Sequence, residues 1–194
     1  MSASIVIVKQ DRLDNEETVK TIAQHFSAGN LTQKQNKSLG DGRNMHSFST
    51  CLMHCVFSTS ERSPWLDPAI CERLWPYLGG IARENGIRAL AIGGVADHVH
   101  LLLSLPATLS VSKAVQLLKG NSSKWLRETF PELRAQGFAW QEGFGAFSIG
   151  VSGVPETTRY IRGQEEHHRK KSFREELEAF LKKHGFDYKP GMLD

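Results

Sequence analysis

Cysteine is scarce in this sequence, and long apolar runs are missing from it. Cys51, Cys55 and Cys71 are its three cysteines among 194 residues, and so small and odd a number argues against a disulfide framework. The apolar stretch Ile5–Val8 has no basic region before it and is too short for a signal-peptide core. Since no apolar run approaches the roughly 20 residues that cross a bilayer, we expect a cytoplasmic protein that does not enter a membrane.

Two common binding motifs are incomplete or missing. Cys51, His54 and Cys55 stand close together, but in an extended strand the two cysteines share one face and His54 points to the other. No second pair of cysteines or histidines with zinc spacing follows, and free cysteine usually behaves as a small hydrophobic residue. We therefore interpret this group as core packing. A Walker-type glycine-rich loop for nucleoside triphosphates is also missing.

What the sequence does contain is the composition of one ordinary globular domain. Hydrophobic residues make up 40% and charged residues 23% of the chain. A chain of this length buries one real core but is short for two. The net charge of +3 and the pI of about 8.8 are only mildly basic, so the total charge does not decide whether a nucleic acid is bound.

The basic residues are concentrated near the carboxyl end. A clustered basic face can neutralise phosphates, whereas the plainer interpretation is a solvated helix surface, and both stay open. The cluster consists of Arg159, Arg162, His167, His168, Arg169, Lys170, Lys171 and Arg174.

The first 44 residues differ from the rest. They end in a polar tract, residues 27–44, rich in Gly, Asn, Gln, Lys and Ser. Such a composition buries little apolar surface and is typical of linkers or disorder. We therefore divide the chain into an amino-terminal extension, residues 1–44, and one domain over residues 45–190. Met45, directly after the tract, is a candidate for the true start.

From His46 onward the hydrophobic pattern becomes regular. Alternation predicts strands, apolar residues at helical spacing predict helices, and Ser110 and Pro155 stand where helices begin. The predicted strands are 46–58, 87–95, 98–105 and 138–149, and the predicted helices are 67–85, one after Ser110, one opened by Pro155, and 173–184. This order predicts an α+β fold of the ferredoxin-like or RRM-like split β-α-β type. It has a four-stranded antiparallel sheet with helices on one face, followed by a carboxyl-terminal helix that bears Tyr160.

The strongest chemical signal is a pair of histidines in one predicted strand. His98 and His100 leave the same face of an extended chain, while Val99 enters the other. Two neutral imidazoles whose Cα atoms lie about 6.5 Å apart along a strand can converge on one cation, so we favour a metal site over structural histidines. Two imidazoles leave a metal ion under-coordinated, so a further protein ligand is expected.

Tyr160 and Gln164 are four residues apart on the helix that Pro155 opens, and we expect them to share a helix face. Gln164 offers a carbonyl oxygen, a hard ligand that suits Mg²⁺ or Mn²⁺ together with imidazole. The helix has few large apolar residues besides Ile161, so we interpret it as presenting polar groups. A surface helix with an ordinary tyrosine is the alternative.

Taken in order, these segments resemble the single-tyrosine HUH transposases of the insertion-sequence 200/605 type. The resemblance rests on the His-Val-His strand, on Tyr-Ile-Arg-Gly-Gln at 160–164 with Glu-Glu-His-His after it, and on the segments 117–125 and 140–147. It spans residues 45–188. Gly163 departs from the family, whose members often carry Asn there, and glycine weakens a helix by about 1 kcal/mol relative to alanine.

The resemblance implies a transposase that cleaves and rejoins single-stranded DNA at the ends of an insertion element, with hairpins near those ends providing specificity. Tyr160 would attack the DNA and form a 5′-phosphotyrosine intermediate. His98, His100 and Gln164 would together hold one divalent ion, Mg²⁺ or Mn²⁺.

The resemblance also implies a homodimer in which the tyrosine helix of one subunit completes the metal site of the other. Gly150 and Gly153, just before that helix, would provide the hinge for such a movement. Their plainer interpretation is a loop.

Basic residues on two of the predicted helices are candidates for contacts with backbone phosphates, and two tryptophans are candidates for stacking on bases. The basic residues are Lys119, Lys124, Arg127, Arg159 and Arg162, and the tryptophans are Trp125 and Trp140.

Two other functions stay open. A metal-dependent phosphodiesterase that uses water needs the histidine pair but not Tyr160. A non-catalytic nucleic-acid-binding module needs neither. RNA-binding sheets of this kind expose paired aromatic residues on central strands, whereas here a predicted central strand carries His98 and His100, which disfavours the module.

Overall fold

A computed structural model of the protein describes residues 49–168, 173–185 and 187. The strands in this part of the chain are β1 Leu52–Ser58, β2 Arg88–Val95, β3 His98–Ser104 and β4 Gly145–Ser148. The helices are α1 Pro68–Glu84, α2 Val111–Thr129, α3 Pro131–Ala135, α4 Val154–Arg162, α5 Gln164–His168 and α6 Phe173–Lys183. Ser60–Arg62 and Val151–Gly153 form short 3₁₀ helices. No helix among the described residues is long and apolar enough to cross a membrane.

Several sequence predictions fall on other parts of the chain. The amino-terminal extension over residues 1–44, the start of the first predicted strand at 46–48, and Arg169, Lys170 and Lys171 of the basic cluster lie outside the described residues. The division of the chain at residue 45 stays a prediction.

The four strands form one antiparallel sheet in the order β2-β3-β1-β4. The centre of the sheet is the pairing of β1 with β3, in which Val56 lies opposite His100 and Ser58 lies opposite His98. β2 pairs with the other side of β3, and β4 with the other side of β1. The prediction of a split β-α-β fold with a four-stranded antiparallel sheet is confirmed.

The hydrophobic core lies between one face of this sheet and the helices α1 and α2. Each strand contributes every second residue to it, as the pleat requires, and burial of each large aliphatic side chain contributes roughly 1.5–3 kcal/mol. The core side chains from β1 and β3 are Cys55, Phe57, Val99, Leu101 and Leu103, and those from α1 and α2 include Leu74, Leu78, Val115, Leu118 and Leu126. Cys51 packs against the same core and His54 faces the other side, so the interpretation of the two cysteines as packing is confirmed.

Local sequence signals set the ends of α1 and α2. The Asp67 side chain accepts a hydrogen bond from the Ile70 amide at 2.8 Å, which caps the start of α1. The Ser110 hydroxyl accepts one from the Lys113 amide at 3.2 Å, which caps α2. Each cap contributes about 1 kcal/mol. Gly86 ends α1 with φ +69°, a left-handed conformation that glycine adopts without strain.

The fourth strand is shorter than predicted. A strand was expected over 138–149, but β4 covers only Gly145–Ser148, and among residues 138–144 there is just an isolated bridge from Trp140 to Thr59. The Lys119 ammonium group donates hydrogen bonds to the carbonyl oxygens of Gln141 and Gly143, each at 2.6 Å. Gly143 also has φ +78°, which interrupts the extended chain.

The tyrosine-bearing helix α4 packs on the opposite face of the sheet, against β2 and β3. Val154 and Ile161 are its two buried residues, and they contact Leu52 and Leu102. This narrow apolar stripe agrees with the interpretation of α4 as a helix that presents polar groups.

The expectation that Tyr160 and Gln164 share one helix is wrong. α4 ends at Arg162, and Gly163 caps it with an amide that donates to the Tyr160 carbonyl oxygen at 3.1 Å. Gln164 begins the separate short helix α5. Glycine has a low helix propensity, which explains why the helix breaks at this residue.

The approach of α4 to the sheet depends on Gly93 of β2. A Cβ atom at Gly93 would lie 2.6 Å from the carbonyl oxygen of Ile161 and 3.1 Å from its Cγ2 atom, which is closer than real Cβ atoms come. Any larger residue here pushes the tyrosine helix away from β2.

We therefore expect Gly93→Ala to lower the free energy of unfolding by about 1–3 kcal/mol, the usual cost of overpacking. Gly120→Ala is the matched control, because Gly120 lies within α2 and a Cβ there meets no atom within 4 Å. The control should raise the stability, by up to about 1 kcal/mol. Urea denaturation followed by circular dichroism measures both, and equal effects of the two substitutions would contradict the close approach.

Candidate metal and tyrosine site

His98 and His100 project from β3 on the face of the sheet that carries α4. Both side chains are fully buried, and their ring centroids are 5.0 Å apart in a T-shaped arrangement. Val99 between them lies in the core on the other face. The predicted placement of the two imidazoles on one face is confirmed.

Each histidine uses its Nδ1 atom for a hydrogen bond that orients the ring. Nδ1 of His98 lies 2.7 Å from Oδ1 of Asp97, and Nδ1 of His100 lies 3.0 Å from Nε2 of His54. With Nδ1 protonated in both rings, the Nε2 lone pairs are directed into the space between α4, α5 and α6. Histidines that bind metals are commonly oriented through the second ring nitrogen in this way.

The charge states of these partners suit that role. Burial raises the pKa of Asp97, but its hydrogen bond with His98 and the nearby imidazoles lower it overall, so Asp97 stays ionised and accepts the hydrogen bond from Nδ1 of His98. Burial, with a smaller effect of His184 and Lys183, lowers the pKa of His54 to about 4. His54 is therefore neutral at neutral pH, and its Nε2 atom can accept the hydrogen bond from His100.

A carboxylate from α6 lies against the two histidines. Oε2 of Glu176 is 3.6 Å from Nε2 of His100 and 3.8 Å from Nε2 of His98. Nε2 of His168, at the end of α5, is 3.3 Å from the same oxygen. The Glu176 side chain is only 3% exposed, and burial, together with the charge of Asp97, raises its pKa to about 8.

These four residues form a group that fits a metal ion. One ligand atom from each of His98, His100, His168 and Glu176 lies within 4.8 Å of the others. Protein ligands of Zn²⁺ bind at about 2.0–2.2 Å, which puts neighbouring ligand atoms of a tetrahedral ion roughly 3.3–3.6 Å apart. The distances from Oε2 of Glu176 to the three imidazole nitrogens, 3.3–3.8 Å, are close to these values, so the residues present fit a divalent cation.

Gln164 reaches the same group despite the helix break. Its Oε1 atom lies 3.4 Å from Nε2 of His98, and its Nε2 atom donates to Oε1 of Glu176 at 3.3 Å. The side chain is 1% exposed. The structure thus brings Gln164 to the histidine pair, and its role as a metal ligand stays a prediction.

Tyr160 also lies beside the histidines, within a single chain. Its ring centroid is 5.6 Å from that of His100 and 5.9 Å from that of His54, with edge-to-face geometry in both pairs. The ring centroid of Phe180, on α6, is 5.7 Å from that of Tyr160 and 5.1 Å from that of His54. The tyrosine and the candidate metal ligands therefore meet without a second subunit, and completion of the site in trans stays a prediction.

The predicted DNA-binding residues divide into two groups. Arg159 and Arg162 are exposed on α4, on either side of Tyr160. Arg162 and Gln164 also line a cavity of about 350 Å³ between α4 and the start of α1.

The other three basic candidates lie on α2, which packs on the face opposite Tyr160. Lys119 is bound to backbone carbonyl oxygens, and Arg127 donates to the Phe138 carbonyl oxygen at 3.1 Å. Lys124 is exposed and lies 3.8 Å from Glu128. Of the two tryptophans, Trp140 is buried in the core, so it does not present a ring to bases.

Of the two glycines proposed as a hinge, Gly150 precedes the 3₁₀ helix before α4 and Gly153 is its last residue. Gly150 has φ −71° and Gly153 has φ −83°, so neither conformation requires glycine. A hinge at these residues stays a prediction.

Sequence reasoning missed Glu176, considered His54 only beside the two cysteines, and gave His168 no role at the metal site, although it belongs to the basic cluster and to the segment that carries the resemblance. A signal for Glu176 was present, because it is four residues from Phe180 and so shares the apolar face of α6. A carboxylate on such a face needs a partner. His54 gave no comparable signal, because its contact with His100 joins residues 46 positions apart.

Several known proteins are similar to this chain in sequence. The family model described as "Transposase IS200 like" matches residues 47–164, more than half of the chain. The chain is 29% identical over 131 residues to the transposase for insertion sequence element IS200 of Salmonella typhimurium, covering 65% of this chain and 85% of that protein. It is 25% identical over 114 residues to the ISDra2 transposase TnpA of Deinococcus radiodurans, covering 57% of this chain and 81% of that protein.

The fold has a counterpart among solved structures. A crystal structure of a Deinococcus radiodurans R1 protein described as a transposase superposes with a TM-score of 0.52 and 25% sequence identity. The match covers 65% of this chain and 98% of that one.

Substitution of His54 tests whether its hydrogen bond orients His100 for metal binding. We expect His54→Phe, which keeps a ring but loses the acceptor, to weaken Mn²⁺ binding by about 10–100-fold, as loss of such an orienting partner does in metal sites. His54→Gln retains a side-chain oxygen at similar reach and should lose less. Isothermal titration calorimetry measures both, and wild-type affinity in His54→Phe would show that the bond does not orient a ligand.

Proposed function

Because the chain belongs to the family of IS200-like transposases, we propose that it cleaves and rejoins single-stranded DNA at the ends of an insertion element, with Tyr160 as the nucleophile. The observation that carries this proposal is the position of the Tyr160 ring, 5.6 Å from His100 in a group of side chains that fits a divalent cation. A tyrosine that only packs in the core does not require candidate metal ligands beside its ring.

The chemistry explains why the tyrosine and the ligands belong together. A phenol has a pKa near 10 and is a poor nucleophile at neutral pH. In the proposed step, Oη of Tyr160 loses its proton and bonds to phosphorus, while the bond from phosphorus to the 3′ oxygen breaks and that oxygen takes up a proton. His98, His100 and Gln164 would hold a divalent ion, which would supply charge stabilisation at the scissile phosphate.

The proposed products are a 5′-phosphotyrosine and a free 3′ hydroxyl on the other DNA fragment. The phosphotyrosine is still a phosphodiester, so a 3′ hydroxyl can displace Tyr160 and rejoin strands without a nucleoside triphosphate. The burial of the site supports this exchange, because water in the pocket would compete as a nucleophile.

The exposed arginines of α4 support contact with DNA near the tyrosine. Arg159 and Arg162 lie within two residues of Tyr160, where a bound strand would place its phosphates. We propose these two as phosphate contacts, with Lys124 as a weaker candidate on the opposite face. Lys119 and Arg127 hold backbone carbonyl oxygens, which argues for a structural role.

Three further parts of the proposal follow from the family. They are recognition of a hairpin at the element end, use of Mg²⁺ or Mn²⁺, and a homodimer that can place the tyrosine helix in trans. The single chain already brings Tyr160 to His100, which supports an arrangement in cis before any exchange between subunits.

The nucleophile is tested by a single substitution. With Mn²⁺ and a single-stranded oligonucleotide copied from the DNA beside its gene, the wild-type protein should form a covalent adduct that denaturing electrophoresis detects. Tyr160→Phe should form none, a loss of at least about 1,000-fold, because the nucleophilic oxygen is removed.

Tyr77→Phe is the matched control for this test. Tyr77 stacks on Trp125 at 4.3 Å on the opposite side of the sheet, so its adduct should form as in the wild type. An adduct in Tyr160→Phe would refute the assignment. Cleavage in Tyr160→Phe without an adduct would instead establish a metal-dependent phosphodiesterase that uses water.

The phosphate contacts are tested through salt dependence. The double variant Arg159→Gln with Arg162→Gln should lower the slope of log affinity against log salt by about 1.4, since each phosphate contact contributes about 0.7 for a single strand. Lys124→Gln, the control on α2, should change it less. Fluorescence anisotropy with a labelled oligonucleotide measures the slopes, and an unchanged slope in the double variant would place the DNA elsewhere.

A further inference from the structure

We infer that Glu176 and His168 are ligands of the same metal ion as His98 and His100, so that α6 supplies the anionic ligand of the site. This inference rests on the proposed function only in taking the histidine pair as a metal site. It assigns a chemical role to the two residues that follow the tyrosine helix in the chain and that the family resemblance leaves without one.

The spacing of the ligand atoms is the first argument. Oε2 of Glu176 is 3.3, 3.6 and 3.8 Å from Nε2 of His168, His100 and His98 respectively. Salt bridges without a metal place nitrogen and oxygen about 2.7–2.9 Å apart, whereas ligands around one ion are held apart by its bonds to them. The three spacings to this one oxygen are all longer than a charge-assisted hydrogen bond and match a shared ion at the centre.

The burial of the carboxylate is the second argument. Glu176 is 3% exposed in a space enclosed by imidazoles and by Gln164. An ionised carboxylate in such a place is destabilising unless a positive charge compensates it. A divalent cation bound between the imidazoles and Oε2 of Glu176 supplies that charge.

The arrangement around Glu176 is the third argument. Oε1 accepts a hydrogen bond from the Gln164 side chain at 3.3 Å, which directs Oε2 toward the three Nε2 atoms. Leu177 and Phe180 anchor α6 by packing against Val56 and Phe147. One oxygen facing the ligands and the other held by a neighbouring amide is the pattern of a metal-bound carboxylate with an outer partner.

The donor set also indicates the class of ion. Imidazole suits transition-metal ions, whereas Mg²⁺ prefers oxygen ligands and retains several waters. Three imidazoles with one carboxylate therefore favour a first-row transition ion over Mg²⁺, and Mn²⁺ is the practical probe.

Glu176→Gln tests the inference directly, because it keeps the shape of the side chain and removes its charge. Binding of Mn²⁺ to the full-length protein without DNA is measured from the loss of the free-ion signal in electron paramagnetic resonance. We expect the affinity to fall at least about tenfold, the lower end of the effect of losing even an outer partner, and the Mn²⁺-induced rise in melting temperature to shrink with it.

Glu178→Gln is the matched control on the same helix. Glu178 is 29% exposed and pairs with Arg174 at 3.4 Å, so its removal should leave Mn²⁺ affinity unchanged. His168→Gln is the second test variant. It should also weaken Mn²⁺ binding, and its side chain, at 14% exposed, is less critical for folding if Glu176→Gln proves unstable.

Three results would overturn the inference or the class of ion assigned in it. Wild-type Mn²⁺ affinity in a folded Glu176→Gln or His168→Gln protein would show that these residues cover the site without binding the ion. Tighter Mn²⁺ binding together with faster DNA cleavage in Glu176→Gln would show that the carboxylate obstructs the site. Equal affinity of the wild type for Mg²⁺ and Mn²⁺ would contradict the assigned class of ion.

The Mn²⁺ titrations and the adduct assay distinguish failure of this inference from failure of the proposed function. Tyr160→Phe should bind Mn²⁺ like the wild type, since the phenol is not among the inferred ligands. An adduct formed by Tyr160→Phe would refute the nucleophile and leave the Mn²⁺ titrations of Glu176→Gln valid.

Discussion

The antiparallel pairing of β1 with β3 determines where every group of the site lies. Val99 and Leu101 enter the core beneath α1 and α2, so the pleat directs His98 and His100 to the opposite face. The same register sets Val56 opposite His100, which brings His54 into hydrogen-bonding distance of that ring. A slip by one residue would move both imidazoles into the core. Burial of the core side chains thus stabilises this strand register, and the register fixes the positions of the histidines on the other face.

The second face of the sheet is polar at its centre, which is costly unless the polar groups have partners. Two sets of side chains provide these partners. Asp97 and His54 bind the outer nitrogens of the histidines, while Gln164 and Glu176 lie on the inner side. Apolar side chains of α4 and α6 then seal the edges. Because water is largely excluded, charges in this space interact more strongly than at the surface.

The features that sequence patterns predicted were local ones. The period of two in β3 placed His98 and His100 on one face, and the capping residues Asp67 and Ser110 marked where α1 and α2 begin. Gln164 was found because it is four residues from Tyr160, although Gly163 breaks the helix between them. The missed features depend on distant parts of the chain meeting. Lys119 donates hydrogen bonds to the Gln141 and Gly143 carbonyl oxygens, where β4 was predicted to extend. No local sequence pattern predicts such a contact.

The continuity of the chain through the site bears on the proposed exchange of the tyrosine helix between subunits. Tyr160 and Gln164 are separated by one helix break, and the Gln164 side chain is hydrogen-bonded to Glu176 of α6. If α4 moves to a partner subunit, Gln164 must move with it, because four residues span only about 14 Å when fully extended. The link to Glu176 then favours the movement of α4, α5 and α6 as one unit. The proposed hinge at Gly150 and Gly153 would lie just before this unit, which is where such a movement would have to begin.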